Sequence, residues 1–442
     1  MPSYLGMAKP NPIENRTPWY KSTAPTYAGI FLWVVFYMQI ANGTLSQCGL
    51  GLSLLALIVA GLICHFLFYL APGSLGLQTG YPLYVVGSST YGTVGGFLMP
   101  GILMGLLQFG WLAVNIAVST MFILLAVNKY PTETETFQPS VLFTVIAILW
   151  GAAAAFVSFK GIKYVAKVST FLPIVPLVMI TIFCLKNIGT AGDFQVPEGG
   201  SKWVGFATMI TIVVGFFATA GAAGVDFGMG NRNKKDIQMG GLVGVALAAI
   251  VAGGLPLIGI AGAHGADPSL STFTFDGVVN AQGGGLAKSM FILFAIASFA
   301  PACFSTMIGV NSIVTMFPKV NKVVLVVIMT IISIVLAATG VALNLIGVFS
   351  IIGASFGPIC GAILADYLLS GRKWAGPRKG INFAGYISWA VGFVVAILPT
   401  INPEKFGMIM PAPVIAFIIG FVLYAVLAKM GLQPETVEMK SA

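Results

Sequence analysis

The stretch "VGFFATAGAAGVDFGMGNRNKKD", Val214 to Asp236, decides the fold. Gly215, Thr219, Gly221 and Gly224 interrupt an apolar run that a basic cluster closes. Glycine-rich strings cradle phosphates when a strand leads into them, and no strand pattern precedes this one. The other reading is a helix interrupted inside a membrane, where glycine weakens the helix and irregular backbone is tolerated only against protein or a cavity.

Composition supports the membrane. The chain has 442 residues, 57% hydrophobic and 8% charged, against the roughly 25% charge of a soluble domain. From Ser22 to Asn128 there is no Asp, Glu, Lys or Arg. Apolar segments of about 20 residues suffice to cross a bilayer as helices, and the sequence predicts twelve: 26–48, 51–72, 97–127, 140–160, 165–186, 202–226, 238–262, 287–312, 320–341, 343–370, 381–400 and 409–429. No alternating pattern of about ten residues recurs, which excludes a strand barrel.

The net charge of +9 is a topology signal. With the N-terminus inside, 17 of the 22 basic residues fall in inner segments, among them Lys9, Arg16, Lys163, Arg232, Lys319, Arg372 and Arg378. The positive-inside rule then places both termini in the cytoplasm, and nucleic acid is not needed to explain the basicity. No cleaved signal peptide is expected in the first 25 residues. The five cysteines are scattered within spans and read as small buried hydrophobes.

Span 1 carries a second interruption, "VVFYMQIANGTLSQCGLGLS", Val34 to Ser53, with Gln39, Asn42, Gly43, Thr44 and Gln47 half-way along it. Close packing through small residues is the alternative there. Spans 1 and 6 open two five-span halves, and interrupted helices in matching positions point to a transporter's central site between inverted repeats. The chain therefore divides into an inner segment 1–25, repeats 26–186 and 187–370, two further spans in 371–429, and an inner tail 430–442.

Two more places break the membrane rule. In "GLLQFGWLAVN", Gly105 to Asn115, Trp111 and Asn115 lie about 60° and 20° from Gln108 on a helical projection, one polar and aromatic stripe near mid-span. It reads as a substrate-facing wall, with an interfacial anchor as the alternative for Trp111. In span 8, Ser305 and Thr306 are adjacent hydroxyls that either bond back to a carbonyl one turn earlier or, with freed carbonyls, offer hard oxygen ligands to Na⁺. All thirteen acids map to loops or span ends. Proton carriers usually relay through carboxylate or His within the membrane, and only His65 lies within a span; it reads as a satisfied structural residue, which favours Na⁺ over H⁺. No motif of a hydrolase, metalloenzyme or phosphate loop is present, so no enzyme and no cofactor is expected.

The motifs together resemble the nucleobase:cation symporter-1 family, of the cytosine permease and hydantoin permease type. "FGPICGAILADYLLSGRKW", Phe356 to Trp374, is similar to the P-x-x-G-x-x-x-A-D-Y signature that ends span 10 there, and Gln108-x-x-Trp111, "NGTL" and "GFFATAG" support it. The resemblance implies an all-α membrane protein with a LeuT-like fold of 5+5 inverted repeats and broken helices 1 and 6. It implies a planar ring stacked between Trp111 and an aromatic of span 6, Phe217 ahead of Phe216. Gln108 and Asn115 would read the ring's edge, with Gln39, Thr219 and the backbone from Gly215 to Ala220 nearby. Na⁺ would bind the Tyr37, Ile40 and Ala302 carbonyls with Ser305 and Thr306.

Met307 stands where cytosine permeases place a base-binding Asn, and Asn311 matches the spacing of the hydantoin carrier's Asn. Pro173 and Pro176, read as interior to span 5, would make it a flexible inner gate, or give it only a static kink. The expectation is a Na⁺-coupled importer of a neutral heterocycle, working as a monomer in the inner (plasma) membrane. The alternatives are an amino acid or vitamin substrate, H⁺ coupling, and, from another class, an intramembrane enzyme or channel.

Overall fold

The computed structural model describes residues 2–130, 140–160 and 172–439, Lys160 by its backbone alone. Glu133, Glu135, Lys163, Lys167, Lys440 and the start of span 5 lie outside the described residues. Among the described residues the structure is helical, with two isolated bridges and no strand. Among these residues ten helices are long and apolar enough to cross a membrane. The segments expected as spans 9 and 1 hold shorter helices, Lys322–Ala338 and the pair Thr23–Phe31 and Val34–Met38.

Span 3, Phe97–Ala126, is the central helix, with 89% of its apolar window buried against 22% for span 12, Ala412–Leu432. It packs on spans 4, 8 and 9, while span 6 packs on spans 2 and 10. Spans 2 and 7 each contain a π-helical segment, Cys64–Tyr69 and Leu242–Leu247, and the two segments touch. All five cysteines are buried and unpaired.

Both breaks exist: that of span 6 falls between Gly221 and Gly224, within the stretch read as interrupted, and that of span 1 is displaced. Span 1 breaks at Leu32–Trp33: Trp33 is extended and its N–H donates to Ile30 O, three residues back, at 3.3 Å. Gln39 to Thr44 instead form the turn between spans 1 and 2, where Gly43 takes φ +71° and, beyond it, Gly49 takes φ +74°, conformations that only glycine adopts freely. Span 6 is one helix, Lys202–Ala222, turning at Ala223 into the short helix Gly224–Gly228. The backbone from Gly215 to Ala220 is thus unbroken. A Cβ on Gly215 would lie 2.6 Å from Phe349 O and one on Gly221 2.8 Å from Phe68 Cβ, so these glycines permit close helix contact. Tyr27 Oη donates to Ala220 O at 2.9 Å, one turn before the break.

The described part of span 5 is the helix Ile174–Asn187, with Pro173 as N-cap and Pro176 in the first turn, where a missing N–H removes no intrahelical bond. The two prolines stand where this helix begins, and the part of span 5 before Leu172 lies outside the described residues.

The end of span 10 ties several elements together. Asp366 in Leu345–Leu369 accepts from Ser89 Oγ and Thr90 Oγ1 of the helix Leu83–Tyr91. Arg378 Nη1 meets Asp366 Oδ1 at 2.9 Å, both side chains being buried. The C-terminal tail lies alongside: Lys379 N donates to Glu435 O, Val437 N to Pro377 O, and Arg378 Nη2 to Gln433 Oε1.

Candidate ring-binding site at the centre of the bundle

Four aromatic rings from spans 1, 3, 6 and 10 converge near the middle of span 3. Trp111 lies 5.3 Å from Phe216 edge to face, 5.6 Å from Trp33 and 5.9 Å from Phe349. Phe216 and Phe349 meet at 5.4 Å, and all four residues are buried. Phe217, one residue on, points away and stacks on Phe31 at 5.4 Å and 13°. Successive helical side chains diverge by about 100°, so only one of the pair can face Trp111, and that one is Phe216. The preference for Phe217 is corrected accordingly.

Polar groups around the rings are few. Trp111 Nε1 donates to Thr219 Oγ1 at 3.4 Å. Gln108 is buried, and its amide reaches only the Met104 sulfur at 3.7 Å, a weak acceptor that leaves the amide's donor and acceptor capacity largely unused. Trp33 Nε1 is buried with no partner among the described residues; a donor left so costs about 1–3 kcal/mol.

Three expected ring contacts are not brought here. Asn115 is fully buried and engaged at both ends, its Nδ2 donating to Ser298 O at 2.6 Å and its Oδ1 accepting from Trp150 Nε1 at 3.2 Å. Ser298 is the bend between Gly284–Ala297 and Phe299–Met316 of span 8, so Asn115 ties that bend to span 4. Asn115→Leu is therefore expected to lower the unfolding free energy by about 1–3 kcal/mol, read by thermal unfolding, with ligand selectivity unchanged. An altered selectivity at unchanged stability would return Asn115 to the ring. Gln39 is in the turn between spans 1 and 2, accepting from Asn42 Nδ2 at 3.0 Å, and Asn311 is exposed, about 140° around the helix from Thr306.

The expected cation ligands are split. Thr306 Oγ1 donates to Ala302 O at 2.9 Å, leaving the hydroxyl's lone pairs free, and Ser305 beside it is buried with no bond among the described residues. Tyr37 lies beyond the break, its ring against Phe275 and Phe294 at 5.2 and 6.2 Å, and Ile40 O already accepts from Thr44 Oγ1 at 2.7 Å. The two named carbonyls thus belong to the second half of span 1, because the break precedes them. His65 is not satisfied: its Nδ1 is buried without a partner and its ring stacks on Tyr69 at 6.2 Å. Phe275 begins the helix Phe275–Gln282. Burial pushes the Asp276 carboxyl of that helix up to about 6, and burial first, then the Asp276 charge, pushes Tyr130 up to about 12.

Residues 10–420 match the family described as permease for cytosine/purines, uracil, thiamine, allantoin. The chain belongs to this permease family. The permease is 25% identical to the cytosine permease of Escherichia coli K12 over 388 residues, 82% of each chain, and equally so to that of Escherichia coli O157:H7. It shares the fold of Mhp1, a nucleobase-cation-symport-1 family transporter. The closed form with bromovinylhydantoin bound matches with TM-score 0.65 at 16% identity over 95% of each chain. The inward-facing form matches with TM-score 0.68 at 17% identity, over 96% of this chain and 95% of that one. A Na⁺-coupled sialic acid symporter matches with TM-score 0.58 at 13% identity, over 96% and 92%. The permease is thus an all-α, multi-pass membrane transport protein of LeuT-like fold, not an enzyme.

Sequence reasoning missed Trp33 and Phe349. Trp33 is the lone tryptophan of its charge-free span, and Phe349 lies seven residues, two helical turns, before Phe356 of the quoted signature. Neither belongs to a polar stripe or an interruption of its span that would draw attention to it.

Proposed function

We propose that the permease imports a nucleobase or related neutral heterocycle of the cytosine, other pyrimidine, purine, hydantoin or allantoin class, coupled to Na⁺, by alternating access. The observation that carries this is the pairing of Trp111 with Phe216 beside the unspent amide of Gln108. Aromatic faces favour a planar ring, an amide reads its edge, and no charged side chain stands in the cluster to hold an ion. In this reading the twelve spans form repeats 26–186 and 187–370, with 371–429 outside the repeat and both termini cytoplasmic. The protein works as a monomer in the inner (plasma) membrane and has no nucleic-acid partner. Relatives named for cytosine support the substrate class.

For the cation, the span 8 groups Ala302, Ser305 and Thr306 remain the ligands, and the backbone around Leu32–Trp33 replaces Tyr37 and Ile40 as the contribution of span 1. One inward charge is driven by about 2.3 kcal/mol per 100 mV. Proteoliposomes should accumulate a labelled ring only with an inward Na⁺ gradient, and Ser305→Ala with Thr306→Val should abolish that dependence while leaving ring binding measurable. Uptake that follows a pH gradient and ignores Na⁺ would select the H⁺ reading, which the unpartnered His65 favours. A thermal-shift screen against bases, hydantoins, amino acids and vitamins tests the substrate, since a native-state ligand raises the melting temperature. Stabilisation by an amino acid or vitamin alone would overturn the base reading.

A further inference from the structure

We propose that Trp33 is the dedicated hydrogen-bond donor of the ring site, so that the transported molecule must present a lone-pair acceptor, a carbonyl oxygen or an unprotonated ring nitrogen, to the break in span 1. This rests on the reading of the aromatic cluster as the ring site.

The indoles of the protein make the comparison. Trp111 Nε1 donates to Thr219 Oγ1, Trp150 Nε1 to Asn115 Oδ1, Trp374 Nε1 to Val86 O and Trp389 Nε1 to Ser355 O. Trp19 is half-buried and Trp203 is exposed. Trp33 alone combines a buried indole N–H with no acceptor among the described residues. Its ring stands 5.6 Å from Trp111 and 6.4 Å from Phe216, beside the two rings that would hold the ligand.

The backbone fixes this indole. Trp33 N–H is held by Ile30 O at 3.3 Å and Trp33 O accepts from Phe36 N at 2.9 Å, so the residue joins the two helical pieces of span 1. Indole donates and never accepts. A ring presenting N–H there would set two donors against each other, whereas Gln108 accommodates either sense. The pair therefore orients the ring and discriminates between rings of equal size by the pattern of acceptors on one edge.

The test uses the full-length protein in detergent, wild type and Trp33→Phe, which keeps an aromatic ring and removes the N–H. Binding is measured for uracil, cytosine, adenine, hypoxanthine, hydantoin, thiamine and a set of amino acids, and for analogues in which one acceptor is replaced by C–H. The expected result is that one such replacement weakens binding to wild type about tenfold and has no effect on Trp33→Phe, which already binds the intact molecule as weakly. Equal binding and equal discrimination by both proteins would overturn the donor assignment and leave the base reading standing.

If only an amino acid or thiamine binds, and with this dependence, the base reading falls and the donor stands. If nothing in the panel binds wild type, both fall. Should Trp33→Phe fail to fold, wild type labelled with ¹⁵N in its indoles gives the same answer. One indole resonance should then shift with the intact molecule and stay in place with the analogue lacking the acceptor; no indole shift would overturn the assignment.

Discussion

Arg378→Met is expected to remove about 3–5 kcal/mol of stability, a large share of the roughly 5–15 kcal/mol that holds a folded protein. The substitution leaves Asp366 as a buried carboxylate with only the hydroxyls of Ser89 and Thr90 in place of a guanidinium at 2.9 Å. It also releases the bond from Arg378 to Ser89 O and the link to Gln433. Three elements lose their common anchor at once: the helix Leu83–Tyr91, the end of span 10 and the C-terminal tail. Thermal unfolding in detergent, with the fraction recovered as a single species, measures the loss. Asp366→Leu added to Arg378→Met should regain part of it, because removing both charges leaves none buried. A single variant as stable as wild type would mean that water reaches Asp366.

Trp111→Ala is expected to weaken ring binding by roughly 5- to 150-fold, the equivalent of about 1–3 kcal/mol for an aromatic platform under a base. The truncation also opens a void among Trp33, Phe216 and Phe349, so stability should fall by about 3–5 kcal/mol. Trp111→Phe separates the two effects. It keeps a face for the ring and contact with Phe216, gives up the bond to Thr219, and should retain most of the stability with an intermediate affinity. Calorimetric titration of the stabilising ligand against all three proteins reads the order directly. Unchanged affinity in Trp111→Ala would place the ligand elsewhere.

The transmembrane helices were legible because their cause is local: a segment without charge and long enough to cross must hydrogen-bond internally. The break in span 1 was not. Gln39 to Gln47 have the composition of a broken helix, yet their Gly and Asn serve the turn between spans 1 and 2, and Leu32–Trp33, where the chain does break, holds no helix-weakening residue. What surrounds that break is tertiary: Trp33 stands against rings of spans 3 and 6. Gln108, Trp111 and Thr219 stood out as candidates because polar or amphipathic groups at mid-depth need a reason. Asn115 satisfied the same criterion for another reason: seven residues, about 10 Å, beyond Gln108 along the axis, it is beside the bend of span 8. A helical projection shows direction and hides height. Asp366 was conspicuous as part of a signature, but its partner Arg378 lies twelve residues on, and only the fold shows them joined.

The tail that pairs with residues 377–379 has a practical consequence for anyone handling the protein. Gln433 to Val437 are part of the folded body, so an affinity handle or reporter fused immediately after span 12 would displace them and uncover the only buried ion pair among the described residues other than the half-exposed Arg232–Asp236 contact. A fusion point beyond Met439 keeps the seam closed, and a protease that removes the last ten residues would be expected to yield a preparation that melts earlier, whatever it carries across the membrane.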